Sequence, residues 1–167
     1  MNDAHQPKDD GRTHLNVYSR AASRLGRALS NFSNLSFVHP IHGPFESVEG
    51  YWYYASTGFQ HDDLRHVSGI QAKQLGRSYS KVMIDEATFQ HQIRIALNAR
   101  FIAHPWLRVE LALSTLPLTH YYYWGNIYNP KVVTPSAHWV IEHLEHSRDR
   151  FRLNMTDKER YQLNLAD

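Results

Sequence analysis

Apolar residues recur at four-residue intervals in the stretch 86–103, and this spacing constrains the fold more than any other feature. The recurring residues are Phe89, Ile93, Leu97 and Phe101, with Ala96 beside them. On a helix they form one continuous apolar stripe, which is stable only when it is buried against other elements. The sequence therefore predicts a long amphipathic helix over 86–103 that faces a hydrophobic core.

Shorter patterns predict more helices and a few strands around this one. Alternation of apolar and polar residues predicts a strand over 14–19, and the aromatic run at 119–124 is typical of β-structure. The turn residues of 30–45 predict a loop. Further helices are predicted over 20–29, between Ser47 and Gly58, over 61–67, over 69–76, from Pro105 to about 115 and over 135–151. We expect a single α+β domain that is mostly α-helical.

The chain of 167 residues fits one domain, and 42% hydrophobic and 20% charged residues are ordinary for a globular protein. We expect a disordered lead-in over 1–13, the folded domain over 14–151 and a helical tail over 152–167, where Thr156 and Glu159 form a capping box. No apolar run reaches the length of a membrane span, and the polar start does not resemble a signal peptide. A cytoplasmic location without a membrane partner is therefore expected.

The absence of cysteine excludes disulfides, a thiol nucleophile and cysteine-ligated zinc. A net charge of +2 is too weakly basic to indicate binding to duplex nucleic acid. His138, Glu142 and His146 share one helix face and could ligate zinc, but nothing beside them supplies a water-activating partner. His143 is interpreted as a core histidine. We predict neither a metal nor a cofactor.

A single acidic residue, Glu49, stands at the start of the predicted aromatic helix "SVEGYWYYASTG". The positive end of the helix dipole is expected to keep its carboxylate ionised, and Glu49→Gln is expected to cost about 0.3–1 kcal/mol of stability. An ionised carboxylate there can stabilise a developing cation or direct a water molecule. A helix-favouring acid without a chemical role explains the pattern equally, and the pattern alone favours that simpler interpretation.

Two other stretches could hold an anionic or aromatic ligand. Lys73, Arg77 and Lys81 recur at four-residue intervals, so they could pair with a diphosphate or form a solvated helix face. The rings of "HYYYWGN" could stack on a nucleobase or belong to a half-buried strand.

The order of several short motifs is more specific than any one of them. The chain reads "NVYS", "LSNFSNLSF", "FESVEGYWYY", "AKQLGR", "ALNARF" and "YWGN" in succession. This order resembles the NADAR domain, also called the YbiA-like family, over roughly residues 15–151. The sequence resembles a divergent, short branch of that family, such as phages encode.

The resemblance implies an N-glycosidase that cleaves the N-ribosidic bond of an ADP-ribosyl or nucleotide-like substrate, for example ADP-ribosylated guanine. It implies that Glu49 is the catalytic residue. The implied ligand-binding residues are Asn31, Tyr53, Lys73, Arg77, Trp124, Gly125 and Asn126. The implied partner is an ADP-ribose-like or nucleotide small molecule, or an ADP-ribosylated base within nucleic acid.

The sequence departs from the family pattern at several positions. Where the family helix continues Glu-His-x-x-Gln-x-x-Lys, this chain has Gly50, Tyr53 and Ser56, and Asn126 replaces the family aspartate after Trp-Gly. Loss of the lysine favours an alternative, a catalytically silent protein that binds or sequesters a nucleotide, whereas Glu49 favours the enzyme. A structural scaffold protein is a third interpretation, suggested by the density of aromatic residues.

Overall fold

The structure is a computed structural model that describes residues 6–156. Its helices are α1 (Arg24–Leu29), α2 (Val48–Ser56), α3 (Gly69–Ser78), α4 (Glu86–Ala103), α5 (Pro105–Leu113) and α6 (His138–Leu153). Its strands are β1 (Leu15–Asn16), β2 (Phe37–His39), β3 (Gly43–Phe45), β4 (Leu118–Thr119), β5 (Tyr122–Asn126) and β6 (Asn129–Val133). Short 3-10 helices span Pro7–Asp9 and Asp62–His66. The prediction of a mostly helical α+β domain is confirmed.

Helix α4 forms the centre of the fold and has the predicted bounds. Its side chains Phe89, Ile93, Leu97 and Phe101 are all buried, as the four-residue spacing predicts. The helix packs against α2, α5 and strand β2. Asp85 caps its first turn by accepting the backbone N–H of Thr88. The core therefore gathers around one long helix, and the short elements are attached to it.

The strands form three separate two-stranded sheets. Strand β1 pairs in parallel with β4, which joins segments about a hundred residues apart, whereas β2–β3 and β5–β6 are antiparallel hairpins. The predicted loop over 30–45 is wrong where it contains the hairpin β2–β3. Its strands have three residues each and include Pro44 and Gly43, so they resemble turns in sequence.

The predicted strand over 14–19 is also shorter, because side-chain hydrogen bonds replace its ladder. Asn16 is fully buried, and its amide donates to the carbonyl of Tyr121 and accepts the N–H of Tyr121. The alternating pattern had indicated a polar residue facing solvent at this position. The buried amide instead joins β1 to the start of β5.

Residues 6–13, the described part of the expected lead-in, are folded rather than disordered. Pro7 and Asp10 are buried. The Asp10 carboxylate accepts the backbone N–H groups of Asn16 and Ala22 at 2.9 and 2.7 Å. This contact explains the difference, because local composition does not reveal a partner that lies twelve residues away. Residues 1–5 and most of the expected tail, from 157 onward, lie outside the described residues.

A cluster of rings fills the core between β2–β3 and α2. His39 is 1% exposed, stacks on Tyr51 at 4.5 Å between ring centroids and accepts the N–H groups of Ile41 and His42 at Nδ1. His42 in turn contacts the Tyr51 hydroxyl at 2.9 Å and stacks on Phe59. Burial lowers the pKa of His39 to about 4. This histidine is therefore neutral in the folded protein at pH 7.

We predict that acid destabilises the protein well above the range in which most carboxylates titrate. His39 is protonated near pH 6.5 when unfolded but only near pH 4 when folded, so its contribution is lost as pH falls between these values. That loss should reach about 3 kcal/mol for His39. Denaturant unfolding between pH 7 and pH 4 measures it.

The matched variant is His39→Asn, which retains an acceptor in place of Nδ1 but does not titrate. Its free energy of unfolding should be lower at pH 7 and should fall less steeply with acid. Identical slopes for both proteins would show that His39 does not cause the acid sensitivity.

Candidate functional site

A cavity of about 210 Å³ opens between the first turn of α2, the end of β1 and the beginning of β5. It is lined by Val17, Tyr18, Ser19, Ser30, Asn31, Phe32, Glu49, Trp52, His120, Tyr122, Pro135, Ala137 and Val140. Most of these residues are apolar or aromatic, and Glu49 is the one carboxylate among them. Such a lining, with few polar groups that converge, is typical of a small-molecule site.

The start of α2 holds Glu49 in place through its backbone. The Ser47 hydroxyl caps the helix by accepting the N–H of Gly50, and it donates to the carbonyl of Val67. The N–H of Glu49 donates to the carbonyl oxygen of Asn31 at 2.9 Å. Two residues implicated by the sequence, Asn31 and Glu49, are therefore neighbours in the cavity wall.

Gly50, which stands where the NADAR pattern has a histidine, is required by close packing. A Cβ atom at this position would lie 2.4 Å from the carbonyl oxygen of Leu64 and 3.1 Å from that of Val67. A histidine therefore cannot occupy this position without moving the segment that follows α2.

The carboxyl group of Glu49 is not held ionised, contrary to the expectation from the helix dipole. Burial raises its pKa to about 7, and the nearby cations Lys73 and Arg77 oppose this effect only in part. Glu49 does lie at the helix N-terminus, but in a largely apolar wall the loss of hydration affects its pKa more than the helix dipole does. At neutral pH both protonation states of Glu49 are therefore accessible.

Helix α3 brings Lys73 and Arg77 to the same site. The Lys73 ammonium lies 5.7 Å from the ring centroid of Phe32 and 5.8 Å from that of Tyr122, both of which line the cavity. Both cations act electrostatically on Glu49, but neither is among the residues that line the cavity. Lys81 follows the end of α3 at Ser78, so it does not continue this helical row.

Tyr53 lies between these groups but is largely buried. Its ring packs on Gly76 of α3, where a Cβ atom would lie 2.0 Å from the Tyr53 ring. Burial and the charge of Glu49 raise the pKa of its hydroxyl, whereas a hydrogen bond with Arg77 lowers it. Tyr53 therefore interacts with both Glu49 and Arg77, but it is not among the residues that line the cavity.

Trp124, Gly125 and Asn126 lie on the exposed hairpin β5–β6, outside the cavity lining. The indole of Trp124 is 54% exposed, and Asn126 accepts the N–H of Tyr128 in the turn. Since side chains alternate along a strand, Trp124 shares a face of the hairpin with Tyr122, which does line the cavity. Of the residues implied by the sequence, Asn31 and Glu49 line the cavity. Tyr53, Lys73 and Arg77 interact with Glu49 from outside the lining, whereas Trp124, Gly125 and Asn126 lie on the hairpin.

Sequence reasoning missed His120, Tyr122 and Trp52 as cavity residues. Two of them stand inside the aromatic run "HYYYWGN", whose rings the sequence offers for stacking on a nucleobase. Trp52 stacks on Trp139 of α6 at 5.7 Å between ring centroids and closes one side of the cavity. The aromatic run is a local signal for Tyr122, but no local signal marks Trp52 or His120, because their convergence depends on how β5, α2 and α6 meet.

The charges of the chain are distributed unevenly around this site. The stretches 11–45, 64–84 and 111–141 contain no Asp or Glu, yet they contribute four arginines, four further cations and one lysine respectively. Nearly all of the cavity wall comes from the first and third stretches, and α3 belongs to the second. Of these cations, Lys73 and Arg77 are the ones that act on Glu49, whereas Arg12, Arg24 and Arg65 pair with carboxylates elsewhere.

No group of three or more His, Asp or Glu residues within 6–156 is arranged to hold a metal ion. His143 contacts the Asn98 side chain at 3.2 Å, and burial lowers its pKa to about 4. No helix of the described chain is both long and apolar enough to cross a membrane.

The fold and the cavity define an α+β domain with a carboxyl group and two cations at one site. The solved structure of the Escherichia coli protein YbiA, determined by NMR, is similar to this chain, with a TM-score of 0.63 and 22% identity. The similarity covers 86% of this chain and 89% of YbiA. The domain therefore has a YbiA-like fold. No protein-family model matches the sequence, and no curated protein matches it either.

We predict that Glu49→Gln stabilises the protein at alkaline pH, which reverses the expectation from the sequence. Because the folded-state pKa is raised to about 7 from 4.5, stability is lost as pH rises through this range. The amide removes this penalty and should add about 1–3 kcal/mol at pH 8 but little at pH 5.

Denaturant unfolding at both pH values tests this expectation. Glu142→Gln is the matched control, since Glu142 is an exposed carboxylate on α6. A Glu49→Gln protein that is less stable than wild type at pH 8 would contradict the assignment.

Proposed function

We propose that the protein is an N-glycosidase that hydrolyses the N-ribosidic bond of an ADP-ribosyl or nucleotide-like substrate, such as ADP-ribosylated guanine. One observation supports this most directly: a partly buried carboxyl group with a pKa near 7 faces a cavity beside two cations. The ordered motifs shared with the NADAR family and the YbiA-like fold agree with it. Assignment to that family is part of the proposal.

The chemistry of the reaction matches the carboxyl group. Cleavage of an N-riboside develops positive charge at the anomeric carbon and negative charge on the departing base. A carboxylate stabilises the first charge, and a carboxylic acid neutralises the second by donating its proton. A group with a pKa near the working pH can supply either form at low cost, and Glu49 has such a pKa.

The neighbouring cations match the rest of the substrate. A diphosphate linking two nucleosides carries negative charges that ammonium and guanidinium groups bind through short, charge-assisted hydrogen bonds. Lys73 and Arg77 stand one helical turn apart on α3 and act on the same carboxyl group. An anion bound to them would offset their effect on Glu49 and favour its protonated form.

Ser56 gives the alternative its support. It replaces the family lysine, and its hydroxyl donates to the carbonyl of Tyr53 within α2, so it presents no charge to a ligand. A silent nucleotide-binding protein would keep the cations and the cavity without turning over the ligand. The two functions differ in a measurable way, because only the enzyme releases a free base.

The test is incubation of the purified protein with ADP-ribosylated guanosine, NAD and nucleotide ribosides, with free base detected by chromatography. Binding of ADP-ribose is measured in parallel by calorimetry. Release of free base supports the enzyme, and binding without release supports the silent protein. A protein that neither binds ADP-ribose nor releases free base would refute both functions.

We predict that Glu49→Gln lowers turnover by about 100-fold or more while the protein still binds ADP-ribose at least as tightly as wild type. The amide keeps the shape of the side chain but can neither donate an acidic proton nor carry a charge. Steady-state rates and calorimetry on the same preparations measure both effects. Turnover that survives the substitution would exclude Glu49 as the catalytic residue.

We further predict that Lys73→Met weakens ADP-ribose binding by about tenfold or more, since a hydrogen bond to a charged group contributes about 1.5–3 kcal/mol. Lys81→Met is the matched control, because it removes the same charge beyond the end of α3. The difference should shrink at high salt. Equal affinities for the two variants would place the phosphate groups elsewhere.

A further inference from the structure

His120 lines the cavity directly after strand β4, and its tautomer is determined by one contact. Its Nδ1 lies 2.6 Å from the carbonyl oxygen of Val17. A carbonyl can only accept, so Nδ1 carries the proton and Nε2 holds the free electron pair of the neutral ring. Within residues 6–156, Nε2 has no hydrogen-bond partner.

Ionisable groups from three elements surround this ring. Tyr122 of β5 contacts it edge-on at 5.1 Å between ring centroids, and Tyr18 contacts Tyr122 in turn. Burial, and after it the charge of Glu49 of α2, raises the pKa of the Tyr122 hydroxyl, and Lys73 of α3 lies near the Tyr122 ring. Tyr122 therefore contacts His120, feels the charge of Glu49, and lines the same cavity as both.

The environment shifts the pKa values of the two groups in opposite directions. Burial lowers the pKa of His120, so the ring is neutral at pH 7, while burial raises that of Glu49 to about 7. Two groups separated in this way are suited to opposite roles, one accepting a proton and the other donating one.

We propose that His120 is the general base of this site, accepting the proton of the water that attacks the anomeric carbon while Glu49 protonates the departing base. The proposal rests on the glycosidase function proposed above. His120 would thereby supply a second catalytic group in a site where Ser56 stands in place of the lysine of the family pattern.

The step balances without a further reactant. The water oxygen forms a bond to the anomeric carbon, and its proton passes to Nε2 of His120. The bond between carbon and base nitrogen breaks, its electron pair stays on that nitrogen, and the nitrogen takes the proton of Glu49. The carbonyl of Val17 accepts from Nδ1 throughout, so it stabilises the resulting imidazolium. Proton transfer through solvent from His120 to Glu49 restores the starting state.

The experiment compares the pH dependence of kcat/KM in wild type, His120→Asn and His143→Gln. The asparagine keeps an N–H donor for Val17 but lacks a second ring nitrogen. His143→Gln is the control, since His143 is another histidine with a lowered pKa and lies outside the cavity lining. Wild type should show a bell-shaped profile, with an acidic limb from His120 and an alkaline limb from Glu49.

His120→Asn should lower kcat by about 10²–10⁴-fold, change KM little and lose the acidic limb, whereas His143→Gln should retain the wild-type profile. In His120→Ala, added imidazole should restore part of the rate, which a purely structural role would not predict. Circular dichroism and thermal unfolding verify that each variant is folded.

Three results would overturn the proposal. A near-normal kcat in folded His120→Asn would exclude His120 as the general base, but it would leave the proposed glycosidase function intact. A reduced kcat with an unchanged acidic limb and no rescue by imidazole assigns His120 a structural role. Wild-type protein that binds ADP-ribose but releases no base refutes the glycosidase function itself, and this proposal fails with it.

Discussion

A buried cation that has no carboxylate partner within residues 6–156 supports the loop on which the site depends. Arg100 of α4 is fully buried and donates to the carbonyl oxygens of Leu29 and Ser30, both at 3.0 Å. Burial lowers its pKa to about 10, so it remains charged at neutral pH. These carbonyls end helix α1 and would otherwise lack helical partners. Arg100 thereby anchors the chain immediately before Asn31, whose carbonyl receives the N–H of Glu49.

Through this loop, the long core helix α4 and the short aromatic helix α2 together position Glu49. Removal of the cation would leave buried carbonyl groups without donors, which is costly in a low-dielectric interior. The same loop contributes Ser30, Asn31 and Phe32 to the cavity. The most buried charge of the described core and the carboxyl group of the site therefore belong to one structural unit.

The electrostatics of the site come from composition as much as from geometry. Lys73 and Arg77 act on Glu49 from stretches of sequence that lack acidic residues, while the apolar wall removes water from the carboxyl group. These influences act in opposite directions on its pKa, and desolvation is the larger one. An anionic ligand that pairs with Lys73 would shift this balance further toward the protonated acid. Ligand binding and catalysis would then be coupled through the protonation of Glu49.

The sequence alone determined the class of fold, the central helix and much of the candidate site. The four-residue spacing of apolar side chains identifies α4, since a helical stripe of this length has no other stable use. Ordered motifs indicated Glu49 and Asn31, which line the cavity, and Lys73 and Arg77, which act on Glu49 from outside the lining. They also indicated Trp124, which lies on the exposed hairpin. The short hairpin β2–β3 escaped prediction because its strands contain proline and glycine.

Only the tertiary structure decided the protonation of Glu49 and the presence of His120. A helix dipole acts locally and can be anticipated from sequence, whereas desolvation depends on residues from β5 and α6 that are distant along the chain. The tautomer of His120 likewise depends on the carbonyl of Val17, a hundred and three residues earlier. Sequence specifies which groups can perform chemistry, and burial among distant elements sets their charge, because hydration is lost only when the chain closes around them.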